Sequence, residues 1–416
     1  MKKLVASTGI IAVGVASLHA AYAPGLDSNQ TTKNWSASVS LKGFYDDNYD
    51  TGSTTNRHDS FGFEVSPTLG FNKSMDSTLL RGSYNYSYRW YEKRSVAGQQ
   101  AADQAHRVEL SLDHSFSQAT SLTLNDSFAV AQEPEVLDPS LTSISRAQGD
   151  NIRNFATAGL STQITPLFGL AVGYQNSFFD YEDSLRSDLL DRMEHRANID
   201  LRWQVARETT ALVGYAYGDV EFSRNNIIGF VGLTPVTSQS RNARSHSGYV
   251  GLEHEFTPEL HGSVRVGASY FDYYNDPTGK TDISPNAKAS LSYKYSDAGM
   301  ATLGLKHDRN ATDAVAPSGT SITQDQESTA VWGQITHRLT SKLVADVTGT
   351  FQASTFNGGI YDGQTDKTFL AGLAFTYNFN EHFSALVGYN YDLIDSDILN
   401  RGYDRSRAYI GVNASY

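Results

Sequence analysis

Two groups of residues have the right types for metal or acid–base chemistry, and spacing decides against both. Asp46, Asp47, Asn48 and Asp50 offer the carboxylate and amide oxygens that a hard cation prefers. An EF-hand loop starting at Asp46 would need Gly sixth and a bidentate Glu twelfth; Gly52 comes one residue late and Arg57 stands where the Glu should be. The cluster therefore reads as a solvated acidic loop. His254-Glu255 followed by His261 offers zinc ligands and a base, but the histidines are seven residues apart where a metal-binding helix needs four, and Pro258 would break that helix. The chain has no G-x-S-x-G nucleophile elbow. With no cysteine in 416 residues, thiol nucleophiles, thiolate zinc sites, iron–sulfur clusters and disulfides are all closed. No catalytic residue, metal or cofactor is assigned, and the chain reads as a non-enzyme.

The systematic spacing belongs to charges and aromatics that alternate. From Leu80, one parity holds Gly82, Tyr84, Tyr86, Tyr88 and Trp90; the other holds Arg81, Ser83, Asn85, Ser87 and Arg89. Ile199, Leu201 and Trp203 alternate in the same way with Asn198, Asp200 and Arg202, as do Phe369, Leu373 and Phe375 with Thr368, Gly372 and Thr376. A period of two carried for ten or more residues is a long β-strand with one greasy and one wet face. An aromatic face opposite a charged one is the pattern of a barrel whose outside meets lipid and whose inside meets water. On the wet parity lie 14 bases: Lys42, Arg81, Arg89, Arg107, Arg153, Arg196, Arg202, Arg265, Lys288, Lys294, Lys306, Arg338, Arg405 and Arg407. Nine acids share it: Glu64, Glu109, Asp113, Asp200, Glu253, Glu255, Asp308, Asp346 and Asp392. As pore-lining residues they predict a mild anion preference.

The elements that position these residues follow from the punctuation. Eight short turns, at 72–77 and near 117, 165, 206, 257, 296, 340 and 380, recur at intervals that fit two strands and a longer loop. Between them lie nine longer polar connections, such as 46–57, 132–150, 223–241 and 311–323. Eight turns and nine loops predict an all-β, up-and-down antiparallel transmembrane barrel of 18 strands, with 16 the neighbouring option, its turns periplasmic and its loops outside. Just before the turns the apolar parity ends in bulky residues: Phe71, His114 and Phe116, Trp203, His254 and Phe256, Tyr293, His337, and Phe379. Amphipathic rings one step from a tight turn read as a periplasmic interfacial girdle. The third loop, 132–150, is expected to fold inward, and 182–194 to hold a short helix through Leu185, Leu189 and Met193. A β-propeller would need four short strands per repeat, and a β-solenoid an apolar interior; neither fits.

Composition agrees. The chain has 24 Tyr, 20 Phe and 34 Gly but 10 Pro, and its mean hydropathy of −0.39 excludes a multi-span helical bundle. A net charge of −12 argues against nucleic acid as a partner. Residues 1–23 read as a signal peptide with an open cleavage position, 24–33 as a short periplasmic segment, and 34–416 as the barrel. The final strand alternates through Ile410, Val412 and Tyr416, which looks like the C-terminal signal that such barrels present to the barrel-assembly machinery.

GFYDDNY (Gly43 to Tyr49), SFGFEVSPTLGF (Ser60 to Phe71) and YNYSYRWYEKR (Tyr84 to Arg94) resemble the outer-membrane barrels grouped as "putative β-barrel porin 2". The resemblance implies a bacterial outer-membrane location and carries no catalytic residues. The expected function is passive diffusion of small hydrophilic solutes through an aqueous pore, with outer-membrane lipid and lipopolysaccharide as surroundings. The alternatives are an exopolysaccharide outlet served by periplasmic partners and a non-channel surface barrel. Homo-oligomerisation stays open.

Overall fold

The computed structural model describes residues 34–53, 57–94, 100–131 and 150–416. The expected signal peptide, the segment 24–33 and residues 132–149 of the third loop lie outside the described residues.

The alternating runs form the strands β1 (Trp35–Asp46), β2 (Ser60–Met75), β3 (Thr78–Tyr91), β4 (Ala102–Ser115), β5 (Thr120–Ala131), β6 (Asn151–Gln163), β7 (Phe168–Tyr181), β8 (Arg192–Ala206) and β9 (Thr209–Phe222). A separate hairpin, β10 (Ile227–Val231) and β11 (Thr234–Thr237), rises from the next connection. The wall resumes with β12 (Ala243–Thr257), β13 (Leu260–Asp272), β14 (Thr281–Ser296), β15 (Gly299–Asn310), β16 (Asp325–Arg338), β17 (Leu343–Asn357), β18 (Thr365–Asn378), β19 (Phe383–Ser396) and β20 (Tyr403–Ser415). These make one 18-stranded antiparallel sheet in which successive wall strands pair. It closes where Ser38 to Asp46 of β1 lie opposite Ser415 to Arg407 of β20. Closure removes the free edges that the first and last strands would otherwise expose to hydrocarbon, where an unpaired backbone costs several kcal/mol per group.

The short turns are tighter than the sequence suggests at one place: β2 runs on to Met75, so the first turn is only Asp76-Ser77. Register shifts at Gln204/Ala206, Glu255/Thr257 and Tyr293/Ser296 each sit beside a short turn. Polarity is inverted relative to a soluble fold. Val213, Val250, Val266 and Leu303 are half-exposed on the outside, whereas Asp46, Ser60 and Asp200 are buried inside.

The expected helix in the fourth loop is α1 (Ser184–Leu190), capped by the Asp183 carboxylate on the Arg186 N–H. It buries Ser187 and Leu190, leaves Leu185 in solvent and ends before Met193, which belongs to β8. The seventh loop, residues 311–324, is the long-range tie. Its Val315 packs against the cluster of Phe179, Tyr181 and Leu190 at β7 and the fourth loop, while Ala314 packs with Phe356 and Ile398 on the β17–β20 side. The loop therefore crosses the loop-side mouth from its own attachment between β15 and β16.

Candidate functional site: the lumen and its loop-side mouth

Pairing register fixes which side chains face inward, because residues directly opposite share a face. One inward row reads Lys42, Glu64, Arg89, Asp103 across β1 to β4. Lys42 Nζ lies 3.0 Å from Glu64 Oε1 and Arg89 Nη2 2.8 Å from Glu64 Oε2, all three largely buried. Nearby, Arg405 Nε donates to Asp392 at 2.9 Å and Arg407 Nη2 to Asp46 at 2.6 Å. Like charges in a row would repel, so alternation of sign is what lets this wall hold charge densely.

A second network covers β8 to β15. Arg202 pairs with Glu253, and Arg265 reaches Asp200 at 3.3 Å and Glu253 at 3.5 Å. The Tyr249 hydroxyl donates to Asp200 across β9, where only a glycine, Gly214, leaves room for the ring. Arg265, Lys288 and Lys306 sit directly opposite one another on β13, β14 and β15. Lys306 Nζ is 3.7 Å from Asp308, and Arg196 Nη1 on β8 reaches the same carboxylate at 3.3 Å. Those strands are five steps apart along the wall, and a circular 18-stranded barrel would separate them by roughly 25 Å. The lumen is therefore pinched at Arg196–Asp308.

Toward the short-turn end the inward side chains are more open. Arg81 and Asp113, 3.0 Å apart, are both nearly half-exposed, and Arg338 is exposed. Toward the loops, Arg107 and Arg153 face inward across Ala129, both buried. At that end the loops bind each other. Arg241, fully buried, donates to the Leu189 carbonyl at 3.0 Å and the Thr312 carbonyl at 2.6 Å, joining the fourth, fifth and seventh loops. Burial, with Arg192 adding like-charge repulsion, pushes its pKa down to about 9, so it still carries its charge at neutral pH. Arg401 Nη2 ties Asp313 of the seventh loop at 2.6 Å and its Nε holds Asp366 at 2.7 Å.

The acidic cluster at residues 46–50 is consumed by hydrogen bonding. Asp47 bonds Arg57 at 2.8 Å, Asn48 bridges Gly52 and the Asp404 carbonyl, and Asp50 bonds His58 at 2.6 Å. His254 and His261 point to opposite faces of the wall, His254 outward and His261 inward.

The bulky residues next to the short turns project outward. Phe71, Phe116, Trp203, Phe256, Tyr293 and Phe379 are all exposed. His114 bonds Thr78 at 2.7 Å and meets Phe116 edge-on; His254 repeats the arrangement with Thr209 at 2.8 Å and Phe256. His337 stacks on Tyr295, whose hydroxyl lies 2.8 Å from its Nδ1. Sequence reasoning missed a second outward set nearer the loops: His106, His195 and His246, bonded to Tyr84, Tyr174 and Tyr215 at 2.9, 2.7 and 2.6 Å. A Tyr on one strand and a His on its partner at the same parity is the signal that would have found it. Ile410, Val412 and Tyr416 are outward and exposed, with the Tyr416 ring 5.1 Å from that of Trp35.

A closed 18-stranded wall, apolar outside and charged inside, defines a transmembrane β-barrel of porin type. The chain belongs to the family described as "Putative beta-barrel porin 2", which matches residues 35–416, and is a bacterial outer-membrane protein. Solved structures it is similar to include Pseudomonas aeruginosa OpdK with vanillate, at 12% identity, covering 92% of this chain and 99% of that one, with a TM-score of 0.46. Acinetobacter baumannii OccAB4 (12% identity, 94% and 100% covered, TM-score 0.42) and the FrpB iron transporter of Neisseria meningitidis (10%, 94% and 82%, 0.42) are others. No curated protein matches the chain.

Proposed function

We propose that the barrel is a passive channel for small hydrophilic solutes, lined by Lys42, Arg81, Arg89, Arg107, Arg196, Arg202, Arg265, Lys288, Lys306 and Arg338 with their acidic partners. The observation that carries this reading is the polar inner wall, continuous from the open Arg81–Asp113 pair to the pinch at Arg196–Asp308. An 18-stranded wall encloses more space than its own side chains fill, which leaves an aqueous path. The outward rings beside the short turns serve as the periplasmic girdle, and Ile410, Val412 and Tyr416 as the assembly signal. The test is reconstitution in planar bilayers together with swelling of sugar-loaded liposomes. Discrete conductance steps and swelling that falls with sugar size are expected; a correctly folded barrel that conducts nothing would sink the reading.

A further inference from the structure

The seam between β14 and β15 is left open at its loop end. Its ladder climbs from Ser296 opposite Gly299 to Ala287 opposite His307 and stops, although β14 continues to Thr281 and β15 to Asn310. Extending the register would set Pro285 opposite Arg309 and Ile283 opposite Ala311. Pro285 has no N–H to donate. Some of the groups beside the break have local partners. The Ile283 N–H donates to the Asp282 carboxylate at 2.8 Å and the Arg309 N–H to the Asp308 carboxylate at 2.9 Å. The Pro285 carbonyl accepts from the Ser284 hydroxyl at 3.2 Å. Partners of this kind make the edge a poorer template for a further strand. Pro67 in β2 gives the contrast: there the ladder to β3 skips Ser66 and Pro67 and resumes in register at Thr68 opposite Asn85.

Side chains, not backbone, close the slot. Arg309 is buried in it, with Nη1 2.6 Å from Asp282 and 3.5 Å from Asp325, Nη2 3.3 Å from Glu327, and its guanidinium 5.6 Å from the Phe271 ring centre. Eight residues separate Pro285 from Tyr293, about 20 Å of height at a strand tilt of ~40°, which falls inside an apolar band ~25 Å tall. Outside the slot, Ile283, Pro285 and Tyr270 are exposed on the lipid-facing side. Inside, at its foot, lies the row Arg265, Lys288 and Lys306.

We infer that this slot is a lateral portal by which an anionic amphiphile, one alkyl chain with a carboxylate, sulfonate or phosphate head, passes between the lumen and the outer leaflet. The head rests against Lys288 and Lys306, and the chain leaves past Pro285 toward Ile283 and Tyr270. Swinging Arg309 aside opens the way without breaking a backbone hydrogen bond. This goes beyond passage of hydrophilic solutes along the barrel axis and does not depend on it.

The experiment uses the full barrel in nanodiscs and two dodecyl phosphate probes, with a photoreactive diazirine beside the head or at the chain end, and cross-links mapped by mass spectrometry. The chain-end probe should mark Ile283, Pro285 and Tyr270, and the head probe luminal residues of β14 and β15. Since the chain has no cysteine, the double variant Ile283→Cys/Ala311→Cys carries its only two thiols, one on each edge of the slot, and a bifunctional thiol reagent with a reducible disulfide spacer bridges them as a lock. The locked form should lose luminal labelling and regain it on reduction, with potassium chloride conductance the same in both states. Independently, Lys288→Gln/Lys306→Gln should lose head labelling and keep chain-end labelling. Luminal labelling indifferent to the lock, head labelling that survives the lysine substitutions, or chain-end labelling spread evenly around the barrel would overturn the portal. Absence of conductance in every form would count against the axial pore alone.

Discussion

Asp46 has no exposed surface, and its carboxylate holds Arg407 Nη2 at 2.6 Å while accepting the Asn48 N–H at 3.0 Å. It fastens the first strand to the last and the first loop to the wall. Removing one partner of a buried ion pair strands the other, which typically costs about 3–5 kcal/mol. Asp46→Asn should therefore lower the stability of the barrel by about that amount, read as a shift of the urea midpoint for unfolding from lipid vesicles; a midpoint unchanged from the unsubstituted protein would show that Arg407 is held elsewhere. Arg241 has a different task, since its partners are two carbonyls on different loops. Arg241→Met keeps most of the volume and orphans both carbonyls, so the wall should stay folded while the seventh loop becomes open to proteinase K. Protection equal to that of the unsubstituted protein would mean that the hydrophobic contact of Val315 suffices.

At the scale of elements, the seventh loop narrows the mouth among the described residues, reaching from β15–β16 to the Phe179, Tyr181 and Leu190 cluster on the far wall. Replacing residues 313–321 with a short Gly/Ser linker should raise single-channel conductance, and an unchanged value in a folded barrel would show that current bypasses the loop. Its tip at Thr320 is exposed, so a tag there should be reached on intact cells while one at Lys73 should not; the reverse pattern would invert the topology. The strands, turns and their sidedness were legible because a period of two, interrupted at regular intervals, has few other physical causes. The helix was legible from Asp183 and the leucine spacing, but not which face it buries: Leu190, outside the expected series, is the buried one because the partner is Phe179 and not the barrel rim. The inward course of the seventh loop could not be read, since it depends on contacts between Val315 and residues more than a hundred positions away. Pro285 could have been read, as a proline inside a long strand marks a lost ladder bond.

For the whole molecule, the question is what net charge a permeating ion meets. Strand parity alone gives 14 bases against nine acids inside the barrel. The pairing registers alter that count at the strand ends, where acids were grouped with the loops. Asp46, Asp103, Glu194, Asp282 and Asp366 all face inward, as does Arg192, while Lys294 lies beyond the register shift at Tyr293/Ser296 and pairs with Asp297. The inner wall then carries 14 bases and 14 acids. Most are also paired within 4 Å, and a paired charge presents a dipole whose field fades within the Debye length of about 8 Å at physiological salt. The expected anion preference therefore loses its source. What remains is local: Arg265, Lys288 and Lys306 in one row near the pinch, with Asp200, Glu253 and Asp308 as their neighbours. In a potassium chloride gradient the unsubstituted channel should show a reversal potential close to zero at high salt, moving only slightly toward anions at low salt. Asp308→Asn removes the carboxylate shared by Lys306 and Arg196. It should make the channel clearly anion-selective at low salt and, by releasing Arg196 from the cross-lumen pair, raise conductance. Strong selectivity of either sign in the unsubstituted protein, or no change on Asp308→Asn, would show that the ion path does not run past the Arg196–Asp308 pinch.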